Sequence, residues 1–181
     1  MSPQERKQQN LTAIYQALLT LMSRKPISLI SITELCQAAQ VSRTYFYKNF
    51  GHFDQIITAF QQQYMLHYLR GLPNTPKITL AQLMTHYFGI IQQDATNNRL
   101  LIQNGKSLIF TTTFQTVFTV LIHQDRIQST NNDLLTTPYY LEYFSGAVVN
   151  LAITWLQHDF PEPASYLAQQ IVCFAQKGPS D

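Results

Sequence analysis

Hydrophobic positions recur every three to four residues along most of this chain, which is the period of an α-helix. The first such segment covers residues 4–24 and is ended by Pro26. Its apolar face consists of Leu11, Ile14, Tyr15, Leu18, Leu21 and Met22. Similar stripes predict further helices over residues 53–69, 79–93, 97–104 and 164–176. We therefore predict an all-α protein.

Two apolar segments are less regular. Residues 107–123 are rich in Thr, Val and Phe, so their pattern allows either a helix or a strand. Residues 139–159 are apolar almost all round, which predicts a helix that is buried on two sides. The segment 71–76 contains one glycine and two prolines, so it predicts a boundary between two parts of the chain.

Two short helices joined by a tight turn are predicted between residues 31 and 50. Ser31 and Glu34 have the spacing of a capping box, in which a hydroxyl and a carboxylate each bond a free backbone N–H. The first short helix should therefore begin at Ile32. Ser42 follows the turn and is the candidate N-cap of the second helix. Such a pair can present its second helix to the major groove of DNA.

The second short helix carries rings on one side and polar groups on the other. Phe46 and Phe50 are four residues apart and can anchor it to a core. The other side offers groups that bond bases or phosphates. We predict base contacts from Arg43, Thr44 and Tyr45, and phosphate contacts from Ser31, Ser42, Tyr47 and Lys48. Spacing alone also allows an ordinary surface hairpin of two helices.

The same residues resemble the N-terminal domain of the TetR family of transcriptional regulators. In order, the matching residues are Ser31, Ala38-Ala39, Val41-Ser42, Phe46-Tyr47 and Phe50, followed by Asp54 and Ile56. The resemblance implies a helix-turn-helix DNA-binding domain over residues 1–52, a connecting helix over 53–70, and a helical ligand-binding and dimerisation domain over 71–181. It also favours a helix for residues 107–123.

From this resemblance we expect a homodimeric regulator, in the usual case a repressor, that binds a pseudo-palindromic operator on double-stranded DNA. A small-molecule effector would release it. Four residues depart from the family pattern, namely Gln40, Thr44, Tyr45 and Phe53. They leave open an adaptor with the same fold that acts through protein–protein contacts and binds DNA weakly.

Charge is unevenly distributed along the chain. The 181 residues carry a net charge of +2, but residues 1–50 contain six Lys and Arg against two Glu, a net charge of +4. The remainder of the chain sums to −2. This asymmetry favours a polyanionic partner for the N-terminal part, although a solvated basic surface would show the same excess.

The apolar helix over residues 139–159 also bears on assembly. Gly146 and Ala147 near its middle permit close approach of another helix, and its two apolar sides require two partners. One partner would lie within the chain and one in a second copy, unless the helix is entirely an internal core helix. The predicted dimer contacts are Gly146, Val149, Asn150, Ile153, Leu167 and Ile171.

Aromatic residues with scattered polar groups in the C-terminal part are typical of a small-molecule pocket, and equally of a filled core. The residues predicted to contact a ligand are His86, Phe110, Phe114, Tyr143 and Trp155. Charged residues are few there, which disfavours a multiply charged effector.

Catalytic and metal-binding patterns are missing from the sequence. The five histidines have no metal-ligand spacing, no G-x-S-x-G or phosphate-binding glycine pattern occurs, and Cys36 and Cys173 stand alone. We therefore expect no enzyme activity, no metal and no cofactor. The polar first ten residues do not resemble a signal peptide, and no stretch is apolar enough to span a bilayer. We expect a cytoplasmic protein without a membrane partner.

Overall fold

The computed structural model describes residues 2–128, 135 and 137–176, most of which are helical. The prediction of an all-α protein is confirmed, and residues 107–123 form a helix. In chain order the helices are α1 (Pro3–Met22), α2 (Ile32–Ala38), α3 (Arg43–Asn49), α4 (Phe53–Gly71), α5 (Leu80–Gln93), α6 (Ala95–Gln103), α7 (Leu108–His123), α8 (Tyr140–Gln157) and α9 (Ala164–Gln176). Two short strands, β1 (Ile78–Thr79) and β2 (Ile127–Gln128), pair in parallel with Ile78 opposite Ile127.

The described residues form two units. The first contains residues 2–64 together with 100–106, and the second contains 65–99, 107–128, 135 and 137–176. Each unit therefore includes part of α4 and part of α6. The sequence analysis assigned residues 100–106 to the C-terminal domain, whereas their contacts lie in the first unit.

The first unit is built around the apolar stripe of α1. Its fully buried side chains come from five elements and include Ile14, Leu18, Leu35, Phe46, Ile56 and Leu101. Each such side chain contributes about 1.5–3 kcal/mol when it is removed from water. Two polar contacts also attach residues 100–106: Ile27 N donates to Asn104 Oδ1 at 3.0 Å, and Lys106 Nζ lies 2.6 Å from Asp54 Oδ1.

Serine hydroxyls cap both short helices as predicted. Ser31 Oγ accepts from Glu34 N at 3.1 Å, and Ser42 Oγ accepts from Tyr45 N at 3.0 Å. In the predicted capping box the Glu34 carboxylate would also accept from the Ser31 N–H. The carboxylate instead accepts from Lys25 Nζ at 2.6 Å. This hydrogen bond lowers the pKa of Glu34 below its ordinary value. The first short helix is therefore attached to the end of α1 through Lys25.

The second unit has its core between the remaining helices, where α9 packs along α5 and α7 packs against α8. An aromatic cluster fills this core with Phe88, Phe114, Phe118, Phe144 and Trp155. Polar contacts inside it include Gln115 Nε2 donating to the buried Ser145 Oγ at 2.9 Å. Within the described ranges, no helix has the length and apolarity needed to cross a bilayer.

Candidate nucleic-acid interface

The α3 helix turns its phenylalanines inward and its cations outward. Phe46 is fully buried, Phe50 is 7% exposed, and their rings lie 6.3 Å apart. The exposed side chains of α3 include Arg43, Thr44 and Lys48, as well as Tyr47, whose exposed fraction is 53%. These four side chains are predicted base or phosphate contacts, and the predicted contacts Ser31 and Ser42 are exposed as well. They share one short helix, which begins directly after the Ser42 cap.

Tyr45 has a different orientation from its neighbours on α3. Its side chain is half-buried, with the ring edge-on to Phe50 at 6.0 Å. Its hydroxyl is fully buried and has no hydrogen-bond partner among the described residues. The predicted base contact from Tyr45 therefore does not match its position here, because the hydroxyl does not face outward with Arg43 and Thr44.

A groove beside α3, which we call the α1–α3 groove, has a volume of about 700 Å³. One wall belongs to the start of α1 and the other to the α2–α3 turn and α3. Its described lining residues are Ser2, Arg6, Lys7, Asn10, Gln40, Val41, Ser42, Tyr45, Lys48 and Asn49. The sequence analysis did not select Arg6 and Lys7, although both contribute to the basic excess of residues 1–50.

The cations of α3 and of the start of α1 form no ion pair with a described residue. In the described part of the first unit, ion pairs involve only Lys25 with Glu34 and Lys106 with Asp54. The cations left without a described acidic partner are Arg6, Lys7, Arg24, Arg43 and Lys48. Their charges therefore remain available to an external anion, as a polyanion-binding surface requires.

The predicted ligand contacts fall into three separate places. Phe110 and Phe114 are buried, and the Phe114 ring lies 5.1 Å from Tyr87 and 5.6 Å from Phe118. Trp155 is also buried, and its indole Nε1 donates to Glu162 O at 2.9 Å. These side chains belong to the aromatic core of the second unit.

His86 and Tyr143 lie outside that core. His86 lines a different cleft of about 700 Å³ with residues of α4 and α5, and its Nε2 is 3.0 Å from Tyr68 O. Tyr143 is 74% exposed on the outer side of α8. The structure therefore does not unite all five predicted ligand contacts in one pocket. Sequence patterning could not separate them, because aromatic residues occur on both sides of α8.

Tyr87 places a buried hydroxyl in the aromatic core and is not among the five predicted ligand contacts. Its hydroxyl has no hydrogen-bond partner among the residues described, and burial raises the pKa of Tyr87 above its ordinary range. The phenol is therefore neutral at physiological pH. Such a group can donate to a ligand that enters the core.

The predicted dimer contacts divide between the core and the surface. Gly146 and Asn150 are exposed and Ile153 is half-buried on α8. Val149, Leu167 and Ile171 are at most 5% exposed within the single chain, so they belong to its own core. The exposed residues of α8 include Tyr143, Gly146, Ala147, Asn150 and Thr154, and those of α9 include Tyr166 and Phe174.

The described residues contain no group of three or more His, Cys, Asp or Glu side chains that could hold a metal ion. Both cysteines are free thiols, and burial raises the pKa of Cys36.

Residues 79–177 match the TetR-type family model described as a transcriptional regulator C-terminal region. Solved structures with a similar fold include Lin0861 from Listeria innocua, which has a TM-score of 0.80 and 18% identity over 97% of this chain and 94% of that one. DhaS, described as a dihydroxyacetone kinase operon activator, gives a TM-score of 0.60 at 14% identity over 92% and 95% of the two chains. No curated protein sequence matches the chain.

A third similar structure is the transcriptional regulator FadR from Bacillus subtilis in complex with stearoyl-CoA. It gives a TM-score of 0.52 at 11% identity and covers 93% of this chain and 99% of that one. Identities this low establish a shared fold only. The family match extends over more than half of the chain. The chain belongs to the TetR family of transcriptional regulators.

Proposed function

We propose that this regulator is a repressor that binds a pseudo-palindromic operator as a homodimer and leaves it when a small molecule binds. The observation that carries this proposal is the orientation of α3. Its phenylalanines are buried in the first unit, while Arg43, Thr44 and Lys48 are exposed. A helix held in this way can enter a major groove without rearranging its own core.

The exposed side chains of α3 divide by chemistry into two roles. Arg43 can donate two hydrogen bonds to the O6 and N7 atoms of one guanine, and Thr44 can contact a neighbouring base. Lys48 and Tyr47 can bind phosphates, as can the backbone near the two serine caps, Ser31 and Ser42. Base contacts would select the operator, whereas phosphate contacts would orient the helix.

A second copy would supply the other recognition helix. Readers of this kind bind two half-sites about one helical turn apart, so one subunit can contact only half of the operator. The outer side of α8 supports self-association. Tyr143 is exposed there beside the small residues Gly146 and Ala147, which would allow two copies of α8 to approach closely.

The effector is proposed to bind in the aromatic core of the second unit. Phe110, Phe114 and Tyr87 would surround it, and the unpartnered Tyr87 hydroxyl would donate to an acceptor atom of the ligand. The expected effector is therefore largely apolar with at least one hydrogen-bond acceptor. FadR, which has a similar fold, was solved with stearoyl-CoA.

Release would proceed through α4, which contributes residues to both units. An effector that binds better to one arrangement of α4 shifts the population toward that arrangement. The consequence would be a changed separation of the two recognition helices. We propose repression, although DhaS, which has a similar fold, is described as an activator. A reporter gene placed behind the operator distinguishes repression from activation.

The decisive experiment is fluorescence anisotropy with duplexes from the region upstream of the gene for this protein, titrated at several salt concentrations. Lys48→Ala should weaken binding to all duplexes alike and reduce the salt slope by about 1. Arg43→Ala should weaken binding to the operator by about 1–3 kcal/mol and reduce the protein's preference for the operator over scrambled DNA. Lys77→Ala removes one positive charge from the second unit and is the matched control.

Identical behaviour of the Lys48 and Arg43 variants would contradict the division of roles. If the wild-type protein shows no saturable binding to any upstream duplex at low salt, DNA recognition itself is refuted. The adaptor function would then be favoured, and a protein partner should be sought instead. For the effector, the fluorescence of Trp155, the single tryptophan of the chain, reports on the second unit during a ligand screen.

A further inference from the structure

We infer that the α1–α3 groove binds a phosphate of the operator backbone through Arg6, Lys7 and the Tyr45 hydroxyl. This inference rests on the proposed DNA binding and extends it to a part of the molecule outside the helix-turn-helix. It also gives Tyr45 a new role, in which its hydroxyl contacts the backbone of DNA rather than the edge of a base.

The charges that line the groove suit an anion. Arg6, Lys7 and Lys48 all line the groove, and none of its described lining residues is acidic. None of these cations forms an ion pair with a described residue. The nearby carboxylate of Glu5 accepts from Ser2 N at 2.7 Å and does not line the groove. The groove is therefore a region of positive potential without a bound counter-charge.

The groove lies beside the α3 residues that are proposed to face DNA. Ser42, Tyr45, Lys48 and Asn49 belong both to the groove wall and to the α3 region that is proposed to face DNA. Arg6 lies on the opposite wall, although it is far from α3 in sequence. A DNA strand that follows the exposed face of α3 would thus bring its phosphates to the mouth of the groove.

The Tyr45 side chain has a buried hydroxyl without a hydrogen-bond partner among the described residues. A buried hydroxyl without a partner is unfavourable, because it has lost water and gained no hydrogen bond. Tyr45 is in this state at a wall of the groove. A phosphate oxygen is a strong acceptor and would receive the phenolic O–H once the Tyr45 side chain turns toward the groove. DNA binding would then satisfy the donor that the free protein leaves unpaired.

Two variants test the inference, measured by anisotropy on the operator and on a scrambled duplex of equal length. Tyr45→Phe should weaken binding to both duplexes by the same factor, about tenfold for one charge-assisted hydrogen bond. Its melting temperature should not fall, because only an unsatisfied hydroxyl is removed. The double variant Arg6→Gln with Lys7→Gln should reduce the salt slope by about 2.

Arg24→Gln is the matched control, because Arg24 is an exposed cation without a described acidic partner that does not line the groove. Its salt slope should stay close to that of the wild-type protein. If the wild-type protein binds the operator and both groove variants bind it equally well, the inference is overturned while the proposed function stands. If the wild-type protein binds no DNA, both fail.

Two further outcomes would also overturn the inference. A Tyr45→Phe variant that loses affinity for the operator alone would show a base contact. A melting temperature that rises with inorganic phosphate at constant ionic strength in the wild-type protein, but not in the double variant, would show a site for free anions. If the double variant Arg6→Gln with Lys7→Gln also binds DNA as well as the wild-type protein does, the groove is a site for free anions and not for DNA.

Discussion

At the scale of single residues, Gln40 in the α2–α3 turn has a backbone conformation that favours glycine. Its φ is +54°, in the left-handed region where a side chain is disfavoured. Gln40→Gly should therefore raise the free energy of unfolding of the first unit by about 0.5–1 kcal/mol. Urea denaturation followed by circular dichroism measures this change.

The control for this prediction is Gln37→Gly, which places the same residue inside α2. Glycine costs about 1 kcal/mol in a helix interior, so the control should lower the stability that the first variant raises. A loss of stability in Gln40→Gly would show that its side chain, rather than its backbone conformation, decides the turn.

Single residues also show what local sequence can predict in the candidate interface. The caps at Ser31 and Ser42 and the burial of Phe46 follow from spacing along the chain, and the structure has all three. The position of Tyr45 could not be predicted in this way. Its ring lies edge-on to Phe50 and lines a groove with residues from the start of α1, and no local pattern encodes that arrangement.

At the scale of elements, α8 has one side in the core of its unit and one side exposed. An apolar composition almost all round predicts a helix with two apolar sides, but it cannot say which residue faces which side. Val149 and Asn150 are neighbours, yet Val149 is 2% exposed and Asn150 lies on the surface. A step of about 100° around the helix accounts for this difference, and only the packing against α5 and α7 fixes its phase.

Gly146 provides a test of self-association through this exposed side. A Cβ built at Gly146 has no atom within 4 Å in the chain, so Gly146→Lys can be accommodated by a single subunit. If two copies of α8 meet there, the added charge and bulk should convert the dimer to a monomer. Sedimentation velocity measures this change, and circular dichroism should show that helix content is retained.

Gly89→Lys on α5 is the matched control, since a Cβ there also meets no atom within 4 Å. This control should keep the oligomeric state of the wild-type protein. A Gly146→Lys variant that remains dimeric would place the interface on another surface.

At the scale of the whole molecule, the first unit is discontinuous in sequence. Residues 100–106 complete it through the fully buried Leu101 and through polar contacts to Ile27 and Asp54. Hydrophobic periodicity predicts the helices, but it does not predict that residues 100–106 belong to the first unit. The pattern within a segment does not depend on which distant segment it packs against. The strongest break, at residues 71–76, therefore suggested a simpler division than the contacts show.

A fragment of residues 1–70 should consequently be less stable than the first unit of the full chain. It lacks Leu101, and loss of one buried leucine side chain already costs about 2–5 kcal/mol. Urea titration of the fragment checks this expectation, with Leu101→Ala in the full chain as the smaller version of the same defect. A fragment that unfolds at the same urea concentration as the first unit would contradict it.

This discontinuity limits how such regulators can be recombined. A chimera that joins the DNA-reading half of this chain to the sensing half of another by a single crossover would inherit a foreign version of residues 100–106. Its Asp54 and Ile27 would then face side chains that did not evolve beside them. Functional hybrids should therefore require a double exchange, in which the short returning segment travels with the half that it completes.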